Sequence, residues 1–192
     1  MPPRAGLSTE YVVDAAAELA DRDGLEALTL AGVAERLGVK PPSLYNHVAG
    51  ASGLHHELQL RGFTMLRDRL RRVTAGKAGD DAVIALTLEM RAFARERPGL
   101  YAATVPSGEV AQPRVRAARD EALEVVLAVI AGYGIADDQL IHAARFLRSV
   151  VHGFIDLEVS GGFGIPIDLD ASYAALVART AASLRTWGSG AR

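Results

Sequence analysis

Any chemistry in this chain is built without sulfur nucleophiles, because it contains no cysteine; thiol catalysis, disulfides and thiolate metal sites are thereby excluded. The five histidines come next. His55-His56-Glu57 sets adjacent imidazoles about 100° apart on a helix, so they do not share a metal ion. Asp138/His142 and His152/Asp156 are i, i+4 pairs. Each pair supplies two ligands where a metal ion wants three or four, so paired hydrogen bonding is the expected use. An enzyme using His152 and Asp156 as acid and base would need a nucleophile or a third group, and the sequence offers neither. Gly161, Gly162 and Gly164 lack the Gly-Lys-Ser/Thr of a phosphate loop and read as a helix end. No catalytic set, metal site or cofactor is therefore expected. A different chemistry suits Ser43, Asn46 and His47: on a short helix they form a small polar surface. There Asn46 could bond adenine bidentately and Ser43 a base or a phosphate.

These side chains need helices to position them. Val12, Val13, Ala16, Ala17, Leu19 and Ala20 follow helical spacing, with Ser8 or Thr9 as cap and Gly24 as stop. Thr29 caps a second short helix whose stripe is Leu30, Val33, Ala34 and Leu37, ended by Gly38. A third spans Pro41 to Val48, with Leu44 and Val48 inward, Ser43, Asn46 and His47 outward and Tyr45 on a flank. Residues 49–53 read as a loop. Leu58, Phe63, Leu66, Leu70 and Val73 form the buried set of a longer helix from Leu54. Further helices are expected at 81–97, 98–104, 110–132, 137–161 and 168–187, and no run has the period of a strand. The class is all-α. Three short helices with tight connections suit a helix-turn-helix, and a plain small helical bundle fits the same spacing.

Charge pulls the other way. The whole chain of 192 residues has a net charge of -2, so no bulk affinity for polyanions is expected. Residues 1–62 carry five lysines and arginines against eight acids, a poor footprint for DNA. Only Lys40, Arg4 on an N-terminal arm and a protonated His47 are placed to neutralise phosphate. No run approaches the roughly 20 apolar residues of a membrane span, and no apolar segment follows Arg4. A cytoplasmic protein with no membrane partner is expected.

Leu28-Thr-Leu-Ala-Gly-Val-Ala-Glu-Arg-Leu-Gly-Val-Lys-Pro-Pro-Ser-Leu-Tyr-Asn-His-Val48, followed by Leu54, resembles the DNA-binding domain of TetR-family transcriptional regulators, over about residues 7–60. The resemblance implies that Thr29 caps its helix near a phosphate and that Lys40, Tyr45 and His47 contact the backbone. It also implies that Pro41, Ser43 and Asn46 face bases, Pro41 through apolar contact. Arg148-Ser-Val-Val-His-Gly-Phe resembles, more loosely, the WHG-type effector domain of that family, with Val151 in place of the Trp. In such domains long helices form a dimerisation bundle around an apolar pocket, for which Met90, Phe93, Tyr101, Phe146 and His152 are candidate lining residues.

The expected organisation is an N-terminal three-helix helix-turn-helix domain, residues 1–54, joined to a C-terminal helical bundle, 55–192, for effector binding and dimerisation. The expected partners are a double-stranded DNA operator, a small apolar effector and a second copy of the chain. The last two helices are expected to pair with the second copy through Leu140, Ala144, Leu147, Val151, Tyr173, Leu176, Val177, Thr180 and Leu184. The expected activity is that of a repressor rather than an enzyme. The alternative is an interaction or sensor module of the same fold that has lost tight operator binding, favoured by the acidic N-terminal region.

Overall fold

The computed structural model describes residues 7–105 and 112–189. Among these residues every regular element is a helix: α1 (Thr9–Asp23), α2 (Leu30–Leu37), α3 (Gly50–Thr74), α4 (Gly79–Glu96), α5 (Pro98–Ala103), α6 (Pro113–Ala131), α7 (Asp137–Val159) and α8 (Leu169–Ser189), with 3-10 turns at Leu25–Ala27 and Pro41–Asn46. The all-α expectation holds. Capping follows the side chains available: Ser8 Oγ accepts from Tyr11 N at 3.1 Å, and Thr29 Oγ1 accepts from Gly32 N at 3.1 Å. Gly38 ends α2 at φ 65°, ψ 32°, a left-handed conformation that a Cβ disfavours, while its N–H donates back to Ala34 and Glu35 carbonyls. Arg4 and the expected helix start at 110 lie outside the described residues.

The chain divides into two compact units. The first contains α1, α2, the Pro41–Asn46 turn, α3 to Thr64, α5, and α6 to Arg119; the second contains α3 from Met65, α4, α6 from Asp120, α7 and α8. In the first unit Val12, Ala16, Val33, Leu44, Leu54 and Leu58 are buried to within 1% of full burial, which is where most of its stability arises. The fit of α5 depends on two glycines. A Cβ on Gly99 would come within 2.3 Å of the Ala20 carbonyl carbon in α1, and one on Gly62 of α3 within 2.7 Å of Leu100 O. Asp21 completes this junction by accepting from Gly99 N at 2.9 Å and pairing with Arg97 at 2.5 Å. The helix expected at 98–104 forms with Pro98 in its first turn, and Gly99 permits backbone contact with α1.

The second unit packs α4 against α7 and α8. Phe93, Leu86, Leu147, Ile155, Tyr173 and Leu184 are buried there. Arg91 is buried among them and makes a two-pronged pair with Glu158 of α7 at 2.7 and 2.5 Å. Its guanidinium lies 4.7 Å from the Tyr173 ring centroid and 5.7 Å from that of Phe154. The guanidinium holds the Glu158 carboxyl below the usual range, so the charge is compensated where water is excluded.

Three expectations change. Helix α3 starts at Gly50 instead of after a loop ending at 53, because Leu54 and Leu58 anchor its first turns in the core and Gly50 takes the left-handed φ of 70° at which the chain turns into the helix. Val73 is half-buried because it lies in the last turn of α3. Ala144, Leu147, Val151, Tyr173, Val177, Thr180 and Leu184, expected to face a second copy, are buried within this one, and Leu140 and Leu176 are half-buried. The packing of α4, α7 and α8 within one unit absorbs apolar positions expected to be in excess.

Candidate nucleic-acid interface

The polar residues singled out at 43–47 lie on a 3-10 turn rather than an α-helix. Pro41 and Pro42 bring no amide hydrogens and fix φ, so the first turn closes through Ser43 N to Lys40 O at 2.9 Å, an i to i+3 bond. With three residues per turn, Ser43 and Asn46 fall into one row. Leu44 is fully buried and Val48 is 5% exposed, which clamps the segment to the unit's core. Pro41, Tyr45 and Asn46 are exposed, Tyr45 at 62%, whereas Ser43 and His47 are half-buried. Three residues per turn bring His47 into the row of the buried Leu44, which draws it inward from the expected outward triplet. Lys40, just before the turn, is exposed, and so is Thr29, although its hydroxyl already caps α2.

Thr9 has a function that sequence reasoning missed. Its hydroxyl donates to His47 O at 3.2 Å, tying the end of the Pro41–Asn46 turn to the first turn of α1. The sequence signal was present only as a choice between Ser8 and Thr9 for the cap; Ser8 caps, leaving Thr9 for the tether.

The acidic stripe of α1 is neutralised within the same unit. Asp14 pairs with Arg61 of α3, Glu18 with Arg36 of α2 at 2.6 Å, and Asp21 with Arg97. The first unit also gathers residues 97–119, which bring four arginines against one glutamate and cancel the deficit counted over residues 1–62. A nearly local charge count misjudged a surface assembled from distant segments.

The candidate effector residues divide between the units. Met90 and Phe93 on α4 and Phe146 and His152 on α7 belong to the second; Tyr101 on α5 belongs to the first, where it is buried. Phe93 is fully buried, with the Arg69 guanidinium 5.3 Å from its ring centroid. Phe146 is half-buried and packs against Trp187 of α8, the rings tilted by 55° with centroids 5.9 Å apart. Burial pushes the half-buried His152 below the ordinary histidine range, against the pull of Asp156 one turn on. Among the described residues, no three histidine, aspartate or glutamate side chains converge as metal ligands, and no helix is long and apolar enough to cross a membrane.

Comparison with known proteins agrees with this geometry. Residues 12–49 match the family model described as bacterial regulatory proteins, tetR family, and residues 83–180 match that of the tetracyclin repressor-like C-terminal domain. An uncharacterized HTH-type transcriptional regulator of Mycobacterium tuberculosis is 38% identical over 182 residues, covering 94% of this chain and 83% of the relative. The uncharacterized HTH-type regulator YobS of Bacillus subtilis is 37% identical over 164 residues, 85% of each chain. A solved structure of a protein of unknown function from Rhodococcus sp. RHA1 shares the fold, with TM-score 0.76 and 20% identity over 97% of both chains. With the turn carrying Tyr45 and Asn46 held out from a buried Leu44, and with relatives matched over most of their length, the chain belongs to the TetR family of helix-turn-helix transcriptional regulators.

Proposed function

We propose that the protein is a cytoplasmic, homodimeric repressor that binds a palindromic double-stranded operator and leaves it when a small apolar effector occupies the second unit. The observation that carries this reading is the recognition turn, with Leu44 and Val48 buried and Tyr45 and Asn46 exposed between two anchored helices. In this reading Asn46, Ser43 and Pro41 face bases, while Lys40, Tyr45, His47 and Thr29 position the phosphate backbone. Met90, Phe93, Phe146 and His152 supply the effector site from α4 and α7. The dimer forms through the exposed side of α7 and α8, where Ala174, Ala175 and Ala178 allow close helix approach and the α7 face of Ile141 and Ser149 also carries the exposed Arg145 and Arg148. Effector binding then shifts the population away from the dimer whose recognition turns match successive major grooves, about 34–36 Å apart.

The test is selection of bound duplexes from a random pool. An inverted repeat is expected to be enriched, and Tyr45→Ala should weaken its binding by about 1–3 kcal/mol with an unchanged melting temperature. An apolar compound that raises the melting temperature should also weaken operator binding. Failure to enrich any sequence would overturn the reading.

A further inference from the structure

We propose that the first turns of α6, through Arg114 and Arg116, form a second phosphate-binding surface for the same DNA, outside the helix-turn-helix. The inference rests on the DNA-binding reading and extends it. Four guanidinium groups of the first unit are held by close acids: Arg36, Arg61 and Arg97 pair with α1, and Arg22 forms a two-pronged pair with Asp23 at 2.7 and 2.6 Å. Arg114 is held differently. It is 74% exposed and approaches Glu57 of α3 at 3.6 Å, too long for a hydrogen bond, so exchange of Glu57 for a phosphate oxygen sacrifices little.

Its place in the unit gives the contact a direction. Helix α3 begins at Gly50, two residues after Val48, so its first turns leave directly from the recognition turn. Glu57 lies about 10 Å along that helix, and Arg114 stands beside it. Arg116 is exposed on the other flank of the buried Val115. Duplex DNA carries one charge per about 1.7 Å of axis, so an arginine a short helical step from the base-reading segment meets the phosphates next to those that Lys40 and Tyr45 would contact. Local charge selects DNA as the occupant: residues 97–119 bring the acidic remainder of the unit only to neutrality, and Arg114 and Arg116 place two exposed cations in the first turn of α6, a local positive site for phosphate.

The experiment titrates the full-length protein against the enriched duplex and an unrelated duplex across a range of salt. Arg114→Gln/Arg116→Gln should make the slope of log affinity against log salt shallower by about 2 to 4 for a dimer. It should weaken both duplexes alike and keep their ratio. Arg114→Lys/Arg116→Lys should restore the slope, which separates charge from folding, and Glu57→Gln should tighten both duplexes. An unchanged slope in the glutamine variant, or no gain from Glu57→Gln, overturns the proposal while the wild type still binds its operator. A wild type that binds neither duplex overturns the DNA-binding reading itself, and this proposal with it. Capture of an acidic protein with no change in DNA affinity would assign the surface to another partner and likewise overturn it.

Discussion

His152 illustrates how one residue's surroundings set a measurable property. It is half-buried on α7, and desolvation disfavours its cationic form, with Arg148 adding to the effect and Asp156 opposing it. Its folded pKa therefore lies below the unfolded value of about 6.5. The unfolded chain binds more protons below that pH, so the stability contributed by the neutral imidazole is present above about pH 6.5 and is lost as the pH falls through the folded value. His152→Gln should accordingly flatten the fall in melting temperature between about pH 7 and pH 5, measured by thermal scans in matched buffers. An identical pH profile in the variant would show that the group is solvated. The sequence placed His152 on a helix one turn from Asp156, but how deeply the imidazole is buried depends on neighbours from other elements.

At the scale of elements, the junction of α1 and α5 is the most exacting contact in the first unit. Ala20 and Gly99 bring two helix backbones together, and Asp21 caps the incoming helix. Gly99→Ala should lower stability by about 1–3 kcal/mol through overpacking, read as a drop in denaturant midpoint with an unchanged slope. Full wild-type stability would mean that α5 can move away from α1 at little cost. Helix existence and caps were legible from spacing and from Ser8, Thr29 and Gly38, because these are local effects of backbone donors and side-chain oxygens. The tight winding at 41–46 was less so: two prolines allowed a helix start, and only the burial of Leu44 and Val48 fixed how the segment turned.

For the whole molecule, the sequence overestimated the apolar surface left for a partner. Most of the positions assigned to a symmetry mate are core, and the exposed sides of α7 and α8 carry Ile141, Ser149, Ala174, Ala175 and Ala178 instead. A dimer through that face should be broken by Ala178→Arg, which places a bulky charge where close approach is needed. The wild type should scatter light as a dimer at micromolar concentration and the variant as a folded monomer. A wild-type monomer, or an unaltered dimer in the variant, would remove this face from consideration.

The sequence by itself determined the all-helical class, the order of the helices and the identity of the exposed Tyr45 and Asn46. Periodicity, capping and proline chemistry act over a few residues and are written along the chain. Only the tertiary structure decided the charge of the first unit and the fate of the α7 and α8 stripes. The arginines of 97–119 and the acids of α1 come together through folding, and whether an apolar residue faces a neighbour or a partner depends on which helices pack beside it.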